Sequence, residues 1–259
     1  MRGQYTFYLI KIFVMYFVLG TYFVEAGPKT EIKLRADLWC PYNCEPKTAN
    51  EGYVIEVLRA IYGPDWSVDY ELFNWPRALE EARKGTINGV IGVARRESEG
   101  LIVPEEEIGR SQNCIYKTAS NPYVYSGPLS LKNKKTAGIE GYTYGPVFDE
   151  LIQAKKLNLI MTSGQEPLLK NINKLLTGQV ELILEDEGVM RYFLGKEKLN
   201  GKIVAAGCDQ SPEKIYVGFS NRIPASKDFA STFDVRIRKL RDSGELGAIL
   251  KKYHISDWK

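Results

Sequence analysis

The sequence predicts an α/β protein of two lobes, each a mostly parallel sheet flanked by helices, with the lobes joined by two hinge strands. Three observations predict it. Short apolar strands alternate with amphipathic helices along most of the chain. The alternation occurs twice with one phrase in common: RALEEARKGTINGVIGV (77–93) and LLKNINKLLTGQVELIL (168–184) each give a helix, a Gly, a spacer, a β-branched residue, a polar residue and an apolar strand. A shared repeat unit or a common helix-to-strand punctuation both produce that phrase. Finally, the segments after about residue 213 are apolar on one side only, so they need a core to rejoin.

The elements follow in order. EIKLRA (31–36) and SVDYELF (67–73) read as strands, and YVIEVLRAIY (53–62) between them carries apolar residues at helical spacing. WPRALEEARKG places Pro76 near a helix start and Gly85 past its end, and INGVIGV (87–93) is the next strand. This βαβαβ order implies parallel strands with ligands bound beyond their carboxyl ends. The second pass begins after about residue 116. KKTAGI (134–139) is a strand, GYTYG a turn, PVFDELIQAKK a helix opening on Pro146, and LNLIMT a strand. PLLKNINKLLTG is a helix from Pro167 to Gly178, and VELILED a strand. KIYVGFS (214–220), FASTFDVRIRKLRDSG (229–244) and ELGAILKKY then return as a strand and two helices, with Phe229, Phe233, Ile237 and Leu240 on one helical face. The first lobe is thus expected to be discontinuous, 27–114 with 217–259, the second to span 115–216, and NCIYK (113–117) and IYVGF (215–219) to cross between them.

Residues 1–26 read as a cleaved signal peptide, with Arg2 and Lys11 at the start, an apolar run from Ile12 to Val24, and a small-residue end at Ala26. That run is short against the roughly 20 residues a membrane span needs. An exported chain meets oxidising conditions, which favours disulfides for its four cysteines. The 35 Lys and Arg against 32 Asp and Glu leave a net charge of +3 without a basic block, so neither nucleic acid nor an anionic membrane surface is an expected partner. The single His, His254, lies in a polar tail, which argues against Ser-His-Asp, Cys-His and zinc chemistry. No metal and no cofactor are expected.

The carriers of a wider likeness are GYVIEVLRAIY, NWPRALEEARKGTINGVIGV, GYTYG, GQVELILED and the closing KLRDSGELGAILKKYHISDW. Through these phrases, in this order, essentially the whole mature chain resembles the family 3 extracellular solute-binding proteins, the polar amino acid class with the type II periplasmic binding protein fold. The resemblance implies a periplasmic monomer that binds without turnover: two lobes close on a small polar, amino-acid-like solute and hand it to the permease subunits of an ABC importer or to a membrane sensor. Closure excludes water and strengthens each polar contact.

The same resemblance points to site residues. Asp37, Trp39 and Tyr42 follow the first strand and Trp75 the second, where relatives present polar and stacking groups; the alternative for the aromatics is the core. In GVARRESEG, Ala94 stands where relatives carry a hydroxyl and Glu99 where they carry the Arg that pairs with the solute's α-carboxylate. Arg95, Arg96 or Arg77 could supply that guanidinium, or Arg95 and Arg96 could belong to a solvated loop. Tyr142, Thr143 and Tyr144 occupy the turn at a helix start where a carboxylate would bind. Glu185 and Asp186 end a strand; Asp186 matches the family's ammonium-binding carboxylate, or it caps the segment from Glu187. Four cysteines allow three pairings, among which Cys40–Cys44 with Cys114–Cys208 is preferred: the first would brace the Trp39 loop, the second would lie by the crossings. The rival class is an enzyme on this fold, resembling cyclohexadienyl dehydratase, which works with carboxylates and without histidine.

Overall fold

The computed structural model describes residues 30–209 and 212–259, so the expected signal peptide lies outside the described residues. The chain opens with β1 (Glu31–Ala36), α1 (Tyr53–Tyr62), β2 (Ser67–Leu72), α2 (Trp75–Lys84) and β3 (Gly89–Ala94). A 3-10 turn at Arg95–Glu97 and two short strands, β4 (Leu101–Ile102) and β5 (Gly109–Ser111), follow. Next come β6 (Asn113–Thr118), β7 (Thr136–Ile139), α3 (Pro146–Gln153), β8 (Leu159–Thr162), α4 (Pro167–Leu176), β9 (Leu182–Asp186), α5 (Glu187–Lys196) and β10 (Ile203–Cys208). The chain returns through β11 (Glu213–Ser220), α6 (Ser226–Asp242) and α7 (Glu245–Lys252).

Two sheets result. The first has the order β2-β1-β3-β11-β4, with β5 also on β11; the second has the order β10-β6-β9-β7-β8. β1, β2 and β3 are mutually parallel, as are β7, β8 and β9, while β11 runs antiparallel to β3 and β6 antiparallel to β9. Each sheet is therefore a parallel trio extended by an antiparallel return strand.

Local chemistry explains the elements. In α1 the apolar residues Val54, Val57, Leu58 and Ile61 repeat at three and four and are buried, which sets that face on the sheet. The N-terminal residue of α2 follows Asn74, whose side chain accepts from the Arg77 amide at 3.1 Å, and the helix stops at Gly85 in the left-handed conformation. The returning helices complete the first core. Tyr62 donates to the Phe229 carbonyl at 2.8 Å, and its ring meets Trp66, Phe219 and Phe229 edge-on. Tyr253, just past α7, hydrogen-bonds Glu56 of α1.

The two expected crossing strands each lie within one sheet. β6 is held between β9 and β10, and β11 between β3 and the β4 and β5 strands, so neither has length left to span the gap. The chain passes between sheets at residue 112 and again between β10 and β11.

Candidate functional site

Parallel strands present their carboxyl ends along one edge, and there the first sheet meets the second. A cavity of about 60 Å³ lies between them. The first sheet contributes Asp37 after β1, Trp39 in the next loop, Trp75 at the head of α2, and Glu97 after β3. The second contributes Asn113 of β6 with Tyr142 and Thr143 from the turn before α3. Glu213, at the start of the return strand β11, closes one side.

The CPYNC loop is a brace. A Cys40–Cys44 disulfide, a hydrogen bond from the Trp39 amide to the Asn43 carbonyl at 2.9 Å and one from the Tyr42 amide to the Trp39 carbonyl at 3.0 Å fold it into a tight turn. Trp39 faces the cavity and stacks on Tyr42, centroids 4.1 Å apart. Tyr42 itself is buried beneath and donates to the Arg110 carbonyl at 2.8 Å and to Asp186 at 3.3 Å. It supports the wall without being part of it.

Contacts join the two sides across the cavity. The Tyr142 hydroxyl donates to Asp37 Oδ2. Asp37 is partly open to the cavity yet deep below the molecular surface, and burial pushes its pKa up to about 6 against the lowering effect of that bond. Gly141, at φ 80°, lies so near α2 that a Cβ there would come within 2.5 Å of Pro76. Arg96 makes the broadest bridge. It grips Glu213 with Nε at 2.7 Å and Nη2 at 3.0 Å, reaches Asp149 at 2.6 Å, and donates to the Thr143 hydroxyl at 2.9 Å.

The other arginines point elsewhere. Arg77 lies over the Phe73 ring at 3.9 Å and Arg95 over Tyr216 at 4.5 Å, with Arg95 also donating to the Pro104 carbonyl at 2.9 Å. Neither walls the cavity. The acidic side chain of this loop that does so is Glu97, because the 3-10 turn Arg95–Glu97 brings it back over the end of β3, where it accepts from the Ala94 amide at 3.3 Å. Glu99, where the sequence places the family's arginine, is exposed, and its carbonyl accepts from Arg83 at 3.0 Å. Burial raises the Glu97 pKa, with the Thr143 hydroxyl opposing.

At the end of β9 the two carboxyls differ. Asp186 accepts from Ser111 Oγ at 2.8 Å, the Gln112 amide at 2.9 Å and the Val189 amide at 2.9 Å, besides Tyr42. It caps α5 and ties that helix to the crossing at residue 112; it does not wall the cavity. Burial pushes its pKa up to about 6. Asp186→Ala is expected to cost about 2 kcal/mol of stability in urea unfolding, since stranding three donors, Ser111 and the Gln112 and Val189 amides, outweighs relief from burying the carboxyl, while Tyr42 keeps the Arg110 carbonyl. It should leave ligand affinity nearly unchanged. Glu185 is buried with Oε2 unpartnered, while Oε1 accepts only from the Asp186 amide at 2.9 Å. Burial first, then the charges of Asp186 and Asp37, push its pKa up to about 8. The Trp39 indole lies near enough to oppose that shift, although its N–H makes no well-formed hydrogen bond. Tyr144 is core: its ring is buried, the Ile139 amide donates to its hydroxyl at 2.6 Å, and its own amide donates to Asp149 at 2.8 Å.

Of the twelve sequence candidates, the structure therefore brings Asp37, Trp39, Trp75, Tyr142 and Thr143 to the cavity wall, with Glu185 and Arg96 just behind it. Tyr42, Arg77, Arg95, Tyr144 and Asp186 lie outside the wall, and Glu97, Asn113 and Glu213 join it.

This architecture has relatives among solved structures. The fold is that of the two-lobed, type II periplasmic binding proteins. An ancestral arginine-binding protein bound to arginine is similar with a TM-score of 0.73 at 14% identity, over 87% of this chain and 98% of that one. A histidine kinase sensor domain with similarity to periplasmic binding proteins gives 0.73 at 15% identity over 87% and 96%. The substrate binding protein of an amino acid ABC transporter gives 0.68 at 15% over 86% and 98%. No family model matches the sequence, and no curated protein matches it.

Proposed function

We propose that this chain is an exported solute-binding protein of the family 3 type, a monomer that clamps a small polar solute between its two lobes for an importer's permease subunits or a membrane sensor. One observation carries this reading: a single cavity is walled jointly by Asp37, Trp39 and Trp75 from one sheet and by Asn113, Tyr142 and Thr143 from the other. Groups held on separate bodies meet only when the bodies close, which is how a clamp couples ligand contact to shape. The Tyr142–Asp37 bond and the Arg96 bridge already join the sides in that manner. Mass spectrometry of small molecules released on denaturing natively purified protein tests it. A stoichiometric polar solute is expected. Release of nothing, together with no thermal shift by any compound of a broad polar library, overturns the reading.

A second reading rests on Glu185. A buried carboxyl with a pKa near 8 and an unpartnered oxygen holds its proton at neutral pH, as a general acid must. Incubation with prephenate or arogenate separates the two: no aromatic product is expected, and rapid turnover would establish the dehydratase-like alternative.

A further inference from the structure

We infer that the solute taken by this cleft is a small organic cation that carries no carboxylate. This rests on the clamp reading and specifies its ligand. The acidic wall is the first reason. Asp37, Glu97 and Glu213 face the cavity, and no Lys, Arg or His is among the described residues that wall it. Glu185 adds an independent observation: just behind the wall, its Oε2 is buried without a partner against the Trp39 indole, and a cation arriving beside it would favour the ionised carboxylate over the protonated form.

The second reason concerns where a solute carboxylate would go. The amide at the end of β3 and the amides of the turn before α3 are the places where a strand end or helix start could receive an anion. The protein's own carboxylates already take one amide at each: Glu97 accepts from the Ala94 amide, and Asp149 from the Tyr144 amide. The guanidinium nearest the cavity, Arg96, is saturated by Glu213, Asp149 and Thr143. Two neutral donors of the wall are engaged as well, Ser111 with Asp186 and Asn113 with the Tyr144 carbonyl at 3.0 Å, whereas the Trp39 indole N–H is held beside Glu185 without a well-formed hydrogen bond. A carboxylate entering here would meet like charge, with the buried Trp39 indole N–H as an uncommitted donor on this wall to receive it.

An ammonium or guanidinium group meets the opposite. Asp37 can exchange its bond from Tyr142 for one from the cation, and Trp39, Trp75 and Tyr142 offer ring faces around the same space. Displacing Tyr142 from Asp37 also enlarges the cavity, so entry and recognition use one movement.

Matched pairs differing only by a carboxylate test the inference: agmatine against arginine, histamine against histidine, and tyramine against tyrosine, by calorimetry on the wild-type protein. At least one amine is expected to bind about tenfold or more tightly than its parent amino acid. Asp37→Asn and Glu97→Gln, both near-isosteric, should each weaken that amine about tenfold without reversing the preference. A parent amino acid that binds as tightly as its amine, or better, overturns the inference and leaves the clamp standing. So does recovery of an anion or a zwitterionic amino acid from natively purified protein. If no amine binds, the inference falls regardless; if that protein also releases no solute, the clamp falls with it.

Discussion

Replacing Cys114 and Cys208 together by alanine should lower the stability of the protein by about 4–5 kcal/mol. The two residues face each other across the β6–β10 ladder and are bonded over a sequence separation of 94. Everything from β7 to β9 lies within the loop they close, so the bond staples the second sheet at its neck, beside both passages of the chain. Its effect falls chiefly on the unfolded chain, where a closed loop of this length has far fewer conformations. The folded state loses less, because the β6–β10 hydrogen bonds persist; the buried Cys114 side chain adds only a small packing loss. For a chain of this size the change corresponds to roughly 10 °C in melting temperature. Denaturant unfolding followed by tryptophan fluorescence checks it: the midpoint should fall and the slope rise slightly as the unfolded chain expands. A loss below about 1 kcal/mol would show that the pair contributes nothing through the unfolded ensemble. The Cys40–Cys44 bridge, with a separation of 4, closes too short a loop to act this way with equal force, and its role is to fix the turn that presents Trp39.

Much of this architecture was legible because burial imposes periodicity. α1 runs over Tyr53–Tyr62, matching the apolar spacing of YVIEVLRAIY, and Pro146 and Pro167 open α3 and α4 as their fixed dihedral predisposes them to do. β10 escaped because IVAAGC is an edge strand of small, half-exposed residues, with no alternation to reveal it. α5 escaped for a related reason: EGVMRYFLGK contains two glycines and only a weak apolar face, and it is secured by the Asp186 cap and by packing. At the cavity, Trp39 and Trp75 could be placed from sequence since strand ends of a parallel sheet converge, and Asp37 from the family resemblance. Glu97 could not, because a single 3-10 turn decides whether position 97 or 99 returns to the strand end. Asp186 shows the limit most plainly. By the resemblance it is the foremost ligand carboxylate, with a helix cap as the other reading, and nothing in its sequence context foretells that Ser111, Gln112 and Tyr42 gather around it as it caps α5.

The stability of the protein alone should fall as pH rises from about 5 to about 8, the reverse of the usual acid-sensitive behaviour. Asp37 and Asp186 sit near 6 and Glu185 near 8, each above its ordinary value because burial disfavours the charged form. A group whose pKa is raised by folding binds its proton more tightly in the folded state. Its stabilisation is complete below the unfolded value, near 4, and is lost as pH climbs through the folded value. Glu51, Glu106, Glu107 and Glu181 are shifted the other way by basic partners or backbone donors, so they weaken the fold only as pH drops below about 4. The windows scarcely overlap, and between pH 5 and 8 the raised group governs. Asp37, Glu185 and Asp186 repel one another and titrate as a set, so the expected loss is roughly 3–5 kcal/mol and not three separate shifts added. Urea unfolding at about pH 5, 6.5 and 8 measures it, and stability that is level or rising across that range refutes it. Glu185→Gln sharpens the test, since an amide keeps the shape and never ionises. The variant should be more stable than the parent at about pH 8 and show a flatter profile. A bound cation should flatten the profile as well, because it supplies the countercharge that these carboxyls lack among their own neighbours.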